Sequence, residues 1–83
     1  MNKPIEVIAT HDEEGHVRPY RFRLETDESS KLTFQVSRII DKREEKRMGT
    51  TYLIFICRVD HASKDFELKF DKMNCKWYMG KLI

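Results

Sequence analysis

Apolar and polar residues alternate with a period of two along most of this chain, and this alternation restricts its fold more than any other feature. The stretch 66–70 is an example, because Phe66, Leu68 and Phe70 are separated by charged residues. No segment repeats apolar residues at the helical positions i, i+3, i+4 and i+7 over three turns. Since successive side chains of a strand point to opposite faces of the sheet, the sequence predicts an all-β protein.

Six segments carry this strand pattern: 5–11, 17–25, 32–42, 50–60, 65–70 and 76–82. The breaks between them are polar and mostly short, as hairpin connections are. We therefore expect a small antiparallel meander of about six strands, closed or half-closed into an SH3-like barrel, because closure removes exposed sheet edges. The charged run 41–49 is most simply interpreted as a solvated connection, or else as a short helix.

The size and charge of the chain limit its functions. A chain of 83 residues fits one domain, 1–83, with a single small core and little room for a deep active-site cleft. The 16 lysines and arginines exceed the 14 acidic residues by only two, so a basic surface has to be local. The N-terminal stretch MNKPIEVIAT lacks the apolar core of a signal peptide, and no run is long enough for a membrane span, so we expect a cytoplasmic protein.

Catalytic motifs are absent from the sequence. Cys57 and Cys75 form no CxxC pair, the three glycines are scattered, and no GxSxG stretch occurs. We therefore expect two reduced thiols, no cofactor and a binding function without enzymatic activity. A cysteine–histidine pair assembled by folding is an alternative that the sequence leaves open.

Pairing of the predicted strands can be tested on the stretch VRPYRFRL, 17–24. If Gly15 takes the positive φ of the first turn, His11 faces His16, Val7 pairs with Tyr20 and Ile5 with Phe22. The next hairpin would then pair Leu24 with Leu32, Phe22 with Phe34 and Tyr20 with Val36. Near the C-terminus, Phe70 would face Trp77 and Leu68 would face Met79. This register places Tyr20 and Phe22 in the core, and it places Arg21, opposite Glu6, on the outer face.

Two outer-face arginines are therefore candidate ligands for nucleic-acid phosphates. Further lysines are expected on the same side of the sheet, which gives the candidate set Arg21, Arg23, Lys69, Lys76 and Lys81. The alternative is that these side chains form ordinary cross-strand ion pairs, as in Arg21 opposite Glu6.

A second candidate surface is apolar. The predicted register leaves Ile8, Val17 and Pro19 outside the core, where they would form a small partner surface. Segment 52–57 is apolar on both faces, so it is expected to be central, with its second face covered by barrel closure, a loop or a second subunit. A protein-interaction module or homodimer is accordingly the alternative to nucleic-acid binding.

The first predicted hairpin also holds two histidines, His11 and His16, next to the acidic residues 12–14. Residues opposed across a hairpin are close enough for both imidazoles to share a transition metal ion. Two such ligands would make a weak metal site at the hairpin tip.

Motifs spread over nearly the whole chain resemble a known family. PIEV (4–7), RPYRF (18–22), CRVD (57–60), FELKFD (66–71) and KWYM (76–79) are similar to small uncharacterised bacterial all-β domains. This chain differs by having Leu24 or Glu25 where those proteins often carry tryptophan. Some such domains are found with proteins resembling Y-family DNA polymerases, so the resemblance implies a DNA-repair-associated accessory role.

Overall fold

The computed structural model of the protein describes residues 3–25, 30–60 and 64–82, and of residues 81 and 82 it describes the backbone only. It contains seven β-strands: β1 (Lys3–Pro4), β2 (Glu6–His11), β3 (Val17–Glu25), β4 (Lys31–Arg47), β5 (Thr50–Val59), β6 (Asp65–Asp71) and β7 (Lys76–Leu82). None of the described residues forms a helix with the length and hydrophobicity that a membrane span requires.

The strands form an antiparallel half-barrel, as the alternation predicts. Their order in the sheet is β1-β7-β6-β5-β4-β3-β2, so every strand from β2 to β7 pairs with its neighbour in sequence. The N-terminal segment supplies the strands at both ends of this order, β1 and β2. β1 pairs with β7, the Ile5 amide donates to the Trp77 carbonyl oxygen at 3.2 Å, and the chain then continues into β2, which pairs with β3.

Aromatic side chains fill the half-barrel in two groups. In the first group the ring centroids of Phe22, Phe34 and Phe66 lie 5.1 to 5.3 Å apart. In the second group the Trp77 ring lies 4.8 Å from Phe70 and 5.8 Å from Phe55. Buried Leu68 and Cys57 complete this core. Such aromatic packing contributes beyond the apolar area that it buries.

The β2–β3 hairpin differs from its predicted register. Gly15 has the expected positive φ of 84°, but His11 pairs with Val17 because the connection uses one residue more than predicted. A β-bulge at Tyr20 then adds a second shift, so Val7 pairs with Phe22 and Glu6 with Arg23. The predicted pairs Val7–Tyr20, Ile5–Phe22 and Arg21–Glu6 are therefore wrong.

The bulge also changes which residues of β3 face the core. Before it, the odd-numbered Val17 and Pro19 point into the core, and after it the even-numbered Phe22 and Leu24 do so. The predicted exposure of Val17 and Pro19 is wrong, since both are buried, whereas Tyr20, predicted inside, is 41% exposed. Bulged residues lose a direct partner across the ladder, and proline, which lacks an N–H, is tolerated at such positions.

Strand β4 is longer than predicted. The charged run, for which the sequence predicts a solvated connection, continues the strand to Arg47, and only Met48 and Gly49 form the turn. Both have positive φ, 50° and 84°, as a two-residue type I′ turn requires. Every residue of the extension pairs with β5, from Arg43 opposite Ile54 to Arg47 opposite Thr50.

The predicted pairs in the rest of the sheet are confirmed for two hairpins. Leu24 pairs with Leu32 and Phe22 with Phe34, whereas Val36 pairs with Val59 and not with Tyr20. At the C-terminal end Phe70 pairs with Trp77 and Leu68 with Met79.

Strand β5 is central and has buried residues on both faces, as its composition predicts. Leu53, Phe55 and Cys57 face the core, and Ile54 on the outer face is only 2% exposed. The cross-strand neighbours of Ile54 are Arg43 and Lys69. Their long stems flank it on the outer face, so the burial of Ile54 needs no second subunit.

Candidate nucleic-acid interface

The bulge in β3 places an aromatic ring and a guanidinium together on the outer face of the sheet. Tyr20 and Arg21 follow the buried Pro19, and Cζ of Arg21 lies 5.6 Å from the centroid of the Tyr20 ring. A guanidinium at this distance from a ring face makes a favourable cation–π contact. In the described ranges no carboxylate oxygen lies within 4 Å of Arg21, so its guanidinium is available to bind an external anion.

Arg23 and Lys31 extend the basic surface toward the β3–β4 hairpin end. Arg23 Nη1 lies 3.6 Å from Glu6 Oε2, and Lys31 Nζ lies 3.3 Å from Glu6 Oε1. One carboxylate therefore serves two cations, and Glu25, the cross-strand partner of Lys31, adds a second acidic residue beside them. All three side chains are between 48% and 67% exposed, and exposed ion pairs of this kind are weak enough to be exchanged for phosphate contacts.

Two shallow grooves lie on either side of Arg23. One, of about 160 Å³, is lined by Ile8, Arg21 and Thr33 among others, and the second, of about 230 Å³, is lined by Pro4 and Lys31. Ile8 is 59% exposed and pairs with Arg21, so an apolar contact is available beside the guanidinium. We name the set Tyr20, Arg21, Arg23 and Lys31 the basic face.

The structure separates the other predicted phosphate ligands from this face. Strands β4 and β5 lie between β3 and β6, so Lys69 and Lys76 belong to a different part of the sheet. The Lys69 side chain is only 18% exposed and its Nζ lies 3.9 Å from Glu67 Oε1. The prediction for Lys81 lies outside the described side chains.

Sequence reasoning missed Tyr20 and Lys31. Unbroken alternation predicts Tyr20 in the core, and the bulge turns its side chain to the outer face. Pro19 in the middle of a strand was the available signal, since proline in a strand marks an edge or a bulge.

The histidines of the β2–β3 hairpin are not opposed as predicted. His11 pairs with Val17, and its ring lies 6.5 Å from that of Phe70. His16 instead contacts Asp12, with Nδ1 2.9 Å from Oδ2. Throughout 3–25, 30–60 and 64–82, no three histidine, cysteine or acidic side chains converge as metal ligands would.

Asp12 organises the hairpin turn. Its Oδ1 accepts the amide N–H groups of Glu14 at 2.9 Å and His16 at 2.8 Å. The hydrogen bond from the His16 amide, together with the side-chain contact to His16, lowers the pKa of the Asp12 carboxyl below its usual value. The turn chemistry therefore accounts for both Asp12 and His16 without a metal ion.

The cysteines differ in environment. Cys57 is fully buried in the core, and burial raises the pKa of its thiol to about 12. A thiol with this pKa stays protonated at neutral pH and is a poor nucleophile. Cys75 is exposed, in the β6–β7 turn, with a positive φ of 54°.

Comparison with known protein families, with curated proteins and with solved structures finds no match to this chain.

Proposed function

We propose that this protein is a small non-enzymatic binding domain that contacts single-stranded nucleic acid through its basic face. The observation that carries the proposal is the paired exposure of Tyr20 and Arg21 at the β3 bulge. Proteins that bind single strands combine aromatic side chains, on which bases stack, with cations that follow the backbone phosphates. Tyr20 supplies the first element, and Arg21, Arg23 and Lys31 supply the second.

The charge distribution supports a local contact. The whole chain has a net charge of only +2, so long-range attraction to nucleic acid is weak and affinity depends on the few cations of the basic face. The proposal includes a cytoplasmic location and the DNA-repair-associated accessory role that the family resemblance implies.

Fluorescence anisotropy of labelled single- and double-stranded DNA, titrated with the protein at about 50 and 200 mM salt, tests this proposal. We expect binding at low salt that weakens steeply at high salt. Arg21→Ala is expected to weaken binding to both DNAs. Tyr20→Ala is expected to weaken only single-strand binding, by the energy of one stacked base, about 1–3 kcal/mol.

Two further variants sharpen the experiment. Glu6→Gln removes the carboxylate that engages Arg23 and Lys31, so it is expected to tighten binding. Arg47→Ala removes an exposed arginine at the far end of β4, so it serves as the matched control and is expected to leave binding unchanged. Flat anisotropy at high protein concentration, or equal effects of Arg21→Ala and Arg47→Ala, would contradict the proposal.

A further inference from the structure

The half-barrel opens where β3 and β4 separate. These strands pair only between Arg21–Gln35 and Glu25–Lys31. Beyond Val36, β4 pairs with β5. Among the described strands, none other than β5 pairs with residues 38–47 of β4. One edge of this long strand therefore leaves backbone N–H and C=O groups available for another strand.

Local distortions on both strands explain the separation. Register shifts at Ser37 and Ile40 bend β4, and the Tyr20 bulge bends β3. Pro19, which lies between Arg18 and this bulge, has no N–H to donate to β4. Bulges commonly end strand pairing in this way.

Two adjoining cavities, of about 360 and 330 Å³, lie at this opening. They share His16, Val17 and Lys42, and apolar side chains from β4 and β5 also line them, namely Ile39, Leu53 and Phe55. We name this opening the β4 cleft. Its lining offers apolar contacts next to a strand edge, which is the arrangement that domains use to bind extended peptides.

The charges around the β4 cleft are mostly positive. Arg18, Lys42 and Lys72 line it, and in the described part of the chain none of these three has a carboxylate oxygen within 4 Å. Of the two acidic residues in the lining, Asp12 already contacts His16 at 2.9 Å, which leaves Glu44. The cleft is therefore complementary to an acidic ligand.

We propose that the β4 cleft binds an extended acidic segment of a partner protein, which adds as a strand to the edge of β4. Backbone hydrogen bonds to residues 38–46 would supply affinity. The side chains on the inward face of the added strand would include apolar ones that contact Ile39 and Phe55 and carboxylates that meet Lys42 and Lys72. A nucleic acid could contact the same cations but cannot continue a β-ladder, so the free edge favours a peptide.

A second copy of this chain would bring a mixed charge pattern to this edge. In a two-fold symmetric antiparallel pair, the residue at the centre faces its own copy. The stretch 42–45 reads Lys-Arg-Glu-Glu, so a register centred there opposes one pair of like charges but also pairs unlike charges on either side of the centre. The acidic partner is favoured because Arg18, Lys42 and Lys72 make the cleft lining positive.

The probe for this proposal is a fluorescein-labelled synthetic peptide of about nine residues, a common strand length. Pairs of glutamates alternate with pairs of valines in it, so each face of the added strand carries both residue types. A lysine–valine peptide tests charge, and the acidic peptide N-methylated at alternate residues tests strand addition, because methylation removes one row of donors. We expect saturable anisotropy for the unmodified acidic peptide only. Hydrogen exchange should show new protection at the amides of 38–46.

Matched charge reversals locate the site. Lys42→Glu is expected to weaken peptide binding by about tenfold or more, since it sets a like charge against the ligand. Lys64→Glu changes the net charge equally at an exposed position outside the cleft lining, so it should leave affinity unchanged. Folding of each variant is checked by its thermal unfolding transition, and Lys72→Glu replaces Lys42→Glu if that variant unfolds.

Several results would overturn the proposal. They are no saturable peptide binding, equal binding of the N-methylated peptide, or protection of amides outside 38–46. Protection of the same amides by single-stranded DNA, or a protein dimer in sedimentation analysis without peptide, would assign the cleft to nucleic acid or to a second copy. If Arg21→Ala loses DNA binding but retains peptide binding, the β4 cleft and the basic face are separate sites.

Discussion

Glu67 is a buried carboxylate on the outer face of the sheet, and it depends on a neighbouring glycine. It is 4% exposed, and its oxygens lie 3.6 Å from Arg43 Nη2 and 3.9 Å from Lys69 Nζ. A Cβ added to Gly80 would overlap Glu67 Oε1 and lie 3.2 Å from Cε of Lys69. Glycine is therefore required at position 80 for steric reasons while Glu67 holds these ion pairs.

Gly80→Ala is expected to lower the free energy of unfolding by about 1–3 kcal/mol, the usual cost of overpacking. The added methyl group displaces the Glu67 carboxylate from its two cations. In a Glu67→Ala background the same substitution should cost clearly less, because the overlapping atom is gone. Urea denaturation of the four proteins of this double-mutant cycle measures the difference. Equal costs in both backgrounds would show that Glu67 is not the obstacle.

Asp71 gives the fold a pH dependence. Its carboxylate accepts Asn74 Nδ2 at 2.9 Å and the amides of Met73 and Asn74 at 2.9 and 3.1 Å. The Asn74 side-chain hydrogen bond, followed by the two backbone bonds, lowers the pKa of Asp71 below its usual 3.8. A lowered folded-state pKa contributes stability above pH 3.8 that is lost as the pH falls through the folded-state value.

We therefore expect the Tm of the protein to fall as the pH is lowered through and below the usual aspartate pKa. Asp71→Asn cannot titrate, so its Tm should be lower at neutral pH and should fall less over the acid range. Differential scanning calorimetry of both proteins across this range measures the two curves. Parallel curves would contradict a role for Asp71 and leave the acid sensitivity to Asp12, whose pKa is also lowered.

At the scale of elements, the two ends of the sheet show what hairpin patterns can predict. The β6–β7 register was predictable because Phe70, Trp77, Leu68 and Met79 leave only one apolar alignment, which the structure confirms. The β2–β3 register was not, because the turn takes one more residue and the bulge adds another. A one-residue slip changes which face each side chain occupies. Pro19 therefore lies in the core and Tyr20 on the outer face, the reverse of the prediction.

The β4–β5 hairpin shows the opposite error, in which charge concealed a strand. Residues 43–47 carry five charges in a row, and composition favours a solvated loop for such a run. They form a strand because each of them pairs with a residue of the long strand β5, from Arg43 opposite Ile54 to Arg47 opposite Thr50. The Met-Gly pair that closes the hairpin is not the usual Asn-Gly signal, so the turn was not recognised.

Met48→Asn is expected to stabilise the protein by about 0.5 kcal/mol or more, because asparagine tolerates the positive φ that costs other residues about 1–2 kcal/mol. Met48 is fully exposed, so no packing is lost. Met73→Asn is the matched control, since Met73 is also an exposed turn residue but has no positive φ. Urea denaturation should show a higher midpoint for the first variant only, and an equal change in both would point to hydrophilicity instead of backbone conformation.

At the scale of the whole molecule, the alternation was sufficient to predict an all-β half-barrel but not the grouping of its basic residues. The candidate set combined Arg21 and Arg23 with Lys69 and Lys76 because all were expected on one outer face. The observed sheet is curved, and β4 and β5 separate the two pairs. Curvature depends on bulges, and these leave little trace in residue types beyond Pro19.

The salt dependence of binding counts the phosphates that the protein's cations neutralise. If Arg21, Arg23 and Lys31 each neutralise one phosphate of a single strand, the plot of log K against log salt concentration should have a slope of about −2. Affinity would then fall about twentyfold between about 50 and 200 mM salt. Arg21→Ala should reduce the magnitude of the slope by about 0.7, whereas Tyr20→Ala should lower the affinity without changing the slope, because stacking releases no counterions. Titrations at four or more salt concentrations separate these effects, and a steeper slope that Arg21→Ala leaves unchanged would place the nucleic acid on other cations of the molecule, those of the β4 cleft included.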